Sequence, residues 1–144
     1  MKLSDHFTLD EMIRSDTAVR KNIDNTPTDE IMSNLKVTAE GMEKVREILQ
    51  VPITVTSGYR SPKLNKYIGG SKTSAHMLGY ACDFIAPRFG NPLSIVTKLK
   101  AVGVSVDQCI MEGNWVHISF DPRMRQKYMT ATFTNGIATY SDFK

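Results

Sequence analysis

Only one stretch of this chain repeats its apolar residues for long enough to dictate a long helix, and every apolar run after it is short. Ile31, Leu35, Met42, Val45 and Leu49 recur at spacings of three, four or seven, which places them on one face of a 3.6-residue helix. Ahead of them, Thr26-Pro27-Thr28-Asp29 predicts an N-cap at Thr26, a proline at the first helical position and an acid in the first turn. The pattern runs to about Gln50. Val51-Pro52 ends it, because a residue before proline is driven out of the helical region. A long helix with one apolar stripe must be covered, and the rest of the chain offers β-branched runs rather than a second long helix.

Those runs lie at residues 53–56, 80–85, 106–111, 115–120, 129–133 and 137–140, and each predicts a strand. Asn135-Gly136 between the last two is a type I′ hairpin signal. Shorter helices are marked by their ends. Thr8 and Glu11 form a capping-box pattern for a helix to about Arg14. Ser61-Pro62 opens one that stops at Gly69-Gly70, and Asn91-Pro92 opens another that stops at Gly103. Residues 15–25 read as loop. The expectation is a single α+β domain over residues 1–144, with helices mainly from the N-terminal half and a small antiparallel sheet in the second half. A chain of 144 residues is long enough to bury about 70% of its unfolded surface without staples.

Composition removes several classes of function. A net charge of +3 suits an anionic polymer such as a cell wall, and no Lys/Arg cluster of the kind that grips nucleic acid is present. Cys82 and Cys109 belong to no CxxC pair and are expected as reduced core residues. No apolar run approaches the roughly 20 residues needed to cross a bilayer. The opening MKLSDHFTLDEM lacks the apolar stretch of a secretory leader. The expectation is synthesis in a cytoplasm, action elsewhere only after release, and a monomer.

Two segments carry chemistry: SAHMLGYACDF (74–84) and MEGNWVHISF (111–120). Together they offer His76, Asp83 and His117. Two imidazoles and one carboxylate are a ligand set for a catalytic zinc ion, with a fourth tetrahedral position left for water. They also suit manganese, cobalt or iron. Asp83 and His117 fall on predicted strands, so their side chains take fixed faces. His76 lies on the loop before, with Gly79 letting the chain turn back. Cys82, next to Asp83 on a strand, faces the other way and is not counted as a ligand. His6 has no partner motif and is read as structural.

With these motifs on view, SGYRSPKLN (57–65), SAHMLGYACD (74–83) and WVHIS (115–119) resemble the zinc D-alanyl-D-alanine peptidases. That family includes cell-wall carboxypeptidases, dipeptidases and bacteriophage L-alanyl-D-glutamate endolysins. HFTLDEMIRSDTA looks like the N-terminus of a phage-encoded subset. The resemblance implies the α+β fold of those peptidases, with a small antiparallel sheet carrying Zn2+, and peptidoglycan peptides as substrate. It implies His76, Asp83 and His117 as the metal ligands, Arg60 as a substrate-binding or polarising arginine, and Ser74 as a serine near the substrate.

The pattern departs at one place. Many members carry an acid three residues before the second histidine, where this chain has Asn114, and an amide is no general base. Hairpin geometry offers a replacement. If Gly113-Asn114 is a two-residue type II′ turn, Glu112 pairs with Trp115 and Ile110 with His117. Glu112, Trp115 and His117 then share a face. Glu112 is therefore the expected base. Asp107, level with Phe120 on the opposite face, is held in reserve, since a slip of one residue would exchange them. Tyr59 and Trp115 are expected to line the cleft, whose openness is assigned to loops such as residues 86–92. The function expected is a metal-dependent hydrolysis of a stem or cross-link peptide bond, in a phage endolysin or virion-associated wall hydrolase. A D-Ala-D-Ala carboxypeptidase is one alternative. A non-catalytic wall-binding or phage structural protein that keeps the metal site is the other.

Overall fold

The structure, a computed structural model, describes all 144 residues. Three helices come first: α1 (Leu9–Ile13), α2 (Asp16–Arg20) and α3 (Asp29–Leu49). Strand β1 (Thr54–Ser57), α4 (Pro62–Tyr67), a 3-10 turn (Ala75–Leu78), β2 (Ala81–Ile85) and α5 (Pro92–Val102) follow. The chain ends in four strands: β3 (Gln108–Glu112), β4 (Trp115–Ser119), β5 (Lys127–Thr134) and β6 (Ile137–Asp142). They build one six-stranded sheet in the order β1-β2-β4-β3-β5-β6. Every neighbouring pair is antiparallel except β3 and β5, which run parallel. The α+β expectation is met, with that one parallel pair as a correction to a purely antiparallel sheet.

The capping box at α1 forms as expected, with the Thr8 hydroxyl accepting from the Glu11 N–H and the Glu11 carboxylate accepting from the Thr8 N–H. The α3 cap is Thr28, two residues later than the expected Thr26, because the Thr28 hydroxyl is the one that accepts from the Ile31 N–H. Pro27 therefore precedes the helix rather than opening it. Residues 15–25 are not all loop. Ser15 caps α2 by accepting from the Ala18 N–H, and Ala18 is buried with Ile23 and Leu64 in a small satellite cluster.

One face of α3 buries Leu35, Ala39, Met42, Val45 and Leu49. They share a single core with Cys82 and Phe84 of β2, Cys109 of β3, Val116 and Ile118 of β4, and Ile95, Val96 and Leu99 of α5. Each large apolar side chain there contributes about 1.5–3 kcal/mol by leaving water. Both cysteines are free and buried, and burial pushes their thiols up, well above the usual thiol range at Cys82 and to about 12 at Cys109. The sheet thus has one face sealed by helices. The other face is left to the site.

Candidate metal centre and active cleft

The open face of the sheet is set by alternation. Cys82, Phe84, Val116 and Ile118 point into the core, so Asp83 and His117 point out of it, and the register pairs these two directly. The β3–β4 hairpin has the expected register: Glu112 pairs with Trp115 and Ile110 with His117. Its turn uses Gly113 at a φ of 69°, the left-handed value that a type II′ turn asks of its first residue. Glu112 therefore stands on the same face as His117.

His76 is brought to this face by the 3-10 turn, not by an irregular loop. Ser74 caps the turn by accepting from the His76 N–H, and Gly79 closes it at a φ of 81°. Helix α3 fixes it from behind, with Thr38 Oγ1 donating to the Gly79 carbonyl at 2.6 Å and Asn34 Nδ2 to the Leu78 carbonyl at 2.8 Å. His76 itself is only 2% exposed. Its Nδ1 lies 2.7 Å from the Gly58 carbonyl oxygen, which only accepts, so Nδ1 carries the proton. Gly58 must be glycine, because a β-carbon there would collide with the Met12 carbonyl of α1.

That tautomer tests the site for a cation. With the proton on Nδ1, the Nε2 lone pair of neutral His76 faces Asp83 Oδ1 at 3.2 Å, one acceptor against another. His117 Nδ1 meets the same oxygen at 3.0 Å. Burial, the largest influence, drives the pKa of His76 down and so favours its neutral form. Burial works against ionisation of Asp83, and only positive charge on the imidazole side overcomes it and holds the carboxyl below the usual carboxylate range. A carboxylate faced by an imidazole lone pair calls for positive charge between them. The donor atoms of the three residues all lie within 4.8 Å of one another. A tetrahedral ion with bonds of about 2.0–2.1 Å sets its ligand atoms roughly 3.3 Å apart, close to the two separations above. The His76 Nδ1–carbonyl hydrogen bond is also the outer contact that orients a metal-binding imidazole. The residues fit a metal.

Around this cluster lies a cleft of about 600 Å³, to which Arg60, Ser74, Glu112 and Trp115 all contribute. The Arg60 guanidinium is largely buried, which lowers its pKa, while the Asp83 and Glu112 charges oppose the drop. It forms no ion pair. Its one side-chain hydrogen bond is to Ser74 Oγ at 3.4 Å, and its Nε is buried without a partner. Ser74 is thus occupied by the turn and by Arg60. Glu112 is pushed above the usual carboxylate range, first by burial and further by Asp83, with His117 opposing. Trp115 Nε1 is buried with no partner in hydrogen-bonding geometry, although the indole lies near enough to Glu112 to oppose that rise.

Several expectations fall elsewhere. Tyr59 does not line the cleft. It is 6% exposed and belongs to the core, because its N–H is tied to the Met12 carbonyl and its carbonyl to Asn25 Nδ2. Residues 86–92 do not border the cleft either, which is framed instead by residues 71–75 and by the C-terminal strands. Asp107 is not on the opposite face level with Phe120: it precedes the β3–β4 ladder, lines the same cleft as Glu112, and is clamped there by Arg125, whose Nε and Nη2 each donate at 2.9 Å. Asn114 is an exposed turn residue. His6 sits far from the cleft on Glu43, at 2.7 Å. The sequence pattern did not single out Gln108, Ile110, Arg123, Arg125, Met129 and Tyr140 as cleft residues. For Gln108 and Ile110 the same alternation that selected Glu112 would have served.

A sheet face that gathers an imidazole–carboxylate–imidazole cluster beside an acid of raised pKa offers the donor set of a hydrolytic metal site. The family whose model matches is Peptidase M15, over residues 5–119. The chain belongs to that family and is a metallopeptidase. No curated protein matches it.

Proposed function

We propose that this chain is a zinc peptidase that hydrolyses a peptide bond in the stem or cross-link of peptidoglycan, as an endolysin or a virion-associated wall hydrolase of a phage. The observation that carries the reading is the convergence of His76, Asp83 and His117 with a high-pKa Glu112 and an unpaired, buried Arg60 in one cleft. His76, Asp83 and His117 would hold the ion. Zinc bound there supplies a Lewis acid and brings the pKa of water down to about 7.

The chain's own groups do the rest. Glu112 takes the proton of the attacking water and returns it to the nitrogen of the leaving amine. Burial raises its pKa, which makes it a stronger base than an ordinary carboxylate for taking up the water's proton. Arg60 holds a substrate carboxylate or the oxyanion that develops on the scissile carbonyl. Ser74 keeps Arg60 in place, and Trp115 covers the base. The chain acts as a monomer on the wall, reaching it by release from the cell or within a particle. Its net charge of +3 favours that anionic polymer.

Digestion of purified peptidoglycan, with and without chelator and restored zinc, followed by mass analysis of the fragments, tests the reading. Zinc-dependent release of new amine ends is expected, and the masses name the bond. Loss of terminal D-alanine alone would make it a carboxypeptidase. Zinc bound at one per chain with no release from several wall types would overturn the reading as an enzyme.

A further inference from the structure

Residues 120–144 lie beyond the region matched to the family, yet part of the cleft is built from them. Arg123 and Arg125 are each committed to a carboxylate, Asp121 and Asp107 respectively. Met129 offers a thioether. Of these cleft residues, Tyr140 alone brings an uncommitted polar group, because its hydroxyl has no hydrogen-bond partner within the protein.

Its place follows from register. In the parallel ladder Ile110 pairs with Met129 and Met111 with Thr130, which sets Ala131 level with Glu112. Ala131 pairs in turn with Tyr140, and Glu112 with Trp115. Level residues share a face, so Trp115, Glu112, Ala131 and Tyr140 form one row across the cleft side of the sheet. The two largest members flank an acid and a methyl group. Ala131, which is buried, puts only a methyl between Glu112 and Tyr140, and Tyr140 borders the same cleft as Glu112. Tyr140 stays 52% exposed and so open to a ligand. A phenol is a protonated donor at neutral pH, and burial, then the Glu112 and Asp83 charges, raise its pKa further.

We propose that Tyr140 is a substrate-contacting residue: its phenolic O–H donates a hydrogen bond to an acceptor oxygen of the bound peptide beside Glu112. The β5–β6 hairpin is then one wall of the substrate site and not only an extension of the sheet. This rests on the reading of the cleft as a peptidase site.

Tyr140→Phe keeps the ring and removes the donor. It is compared with the wild type on peptidoglycan for kcat and KM, with zinc content and Tm recorded. A parallel binding assay uses stem peptides and the zinc-loaded Glu112→Gln protein, with and without Tyr140→Phe. The expected result is a fall of about tenfold in kcat/KM, the size of one lost hydrogen bond, at unchanged zinc content and Tm. A fall carried by KM and matched by weaker peptide binding marks a contact made in the bound state. A fall carried by kcat marks one made in the transition state. Rates and binding within twofold of the wild type would overturn the proposal and leave the peptidase reading standing. A drop in Tm with unchanged kinetics would also overturn it, since the hydroxyl would then serve the fold. A wild type that neither binds nor cleaves peptidoglycan would overturn both.

Discussion

Asp107, just ahead of β3, and Glu112, its last residue, line the same cleft, and they differ in what surrounds them. At the Asp107 end, Arg125 donates through Nε, Nη2 and its backbone N–H. Those hydrogen bonds, Arg125 foremost, hold the Asp107 carboxyl below its ordinary range. At the Glu112 end no cation is in hydrogen-bond reach, and burial with a neighbouring Asp83 charge pushes the carboxyl up. One acid is locked as a carboxylate. The other has no such lock, and its surroundings oppose its ionisation. The lesson is that the strand only sets the stage, and the partner at each end decides whether a carboxylate is structural or chemical.

The largest break in that contrast comes from the metal cluster beside it. Asp83→Ala should lose bound zinc and reduce hydrolysis to background, as metal analysis beside a digestion assay would reveal, because no other carboxylate joins the two imidazoles. Next in size is the Asp107 end. Asp107→Asn should leave hydrolysis within a few fold but lower stability by about 1–3 kcal/mol, since charge-assisted hydrogen bonds to a buried acceptor are lost. The deficit has a pH signature. A carboxyl with a depressed folded-state pKa contributes stability above its unfolded pKa, and that contribution fades as pH falls through the folded value. Chemical denaturation at neutral pH and at low pH should therefore show the gap closing as acid is added.

The other end has the opposite sign. Glu112 has a raised folded-state pKa, so in the metal-free protein it costs stability as pH climbs from its unfolded pKa through its folded one. Glu112→Gln should then make the metal-free chain more stable than the wild type at neutral pH, and equal to it in acid. Smaller still is the turn between the strands. Gly113→Ala meets no neighbouring atom, so its cost is backbone strain alone, about 1 kcal/mol, readable as a Tm shift. Smallest of all, Asn114→Asp should change kcat/KM by less than about threefold, because the side chain is exposed on the turn and does not line the cleft.

The β3–β4 hairpin is legible in the sequence because a two-residue glycine turn leaves little choice of register. With that register set, alternation gives the faces of Glu112 and His117. The His76–Asp83–His117 cluster is legible because its donor chemistry is rare and its spacing is distinctive. What stays hidden depends on distant packing. Tyr59 adjoins Arg60 in the sequence, but the chain turns tightly against Met12 at Gly58 and sends the ring inward. The parallel pairing of β3 with β5 has no local mark, as the Asn135-Gly136 turn specifies only how β5 meets β6. Without that pairing Met129 and Tyr140 have no address. Helix α2 is five residues long, too short for any periodicity, and only Ser15 announces it. The Asp107 clamp is equally invisible, because Arg125 lies eighteen residues away and arrives through a non-repetitive turn.

The assignment of Glu112 as the proton-transferring acid is tested most directly by one comparison: hydrolysis of peptidoglycan by zinc-loaded Glu112→Gln and wild-type protein, with the metal content of both measured. The expected result is one zinc per chain in each and a rate lower by about 10²–10⁴ in the variant. Full zinc with a wild-type rate in Glu112→Gln would contradict it, and would leave the cleft without the base that its geometry singles out.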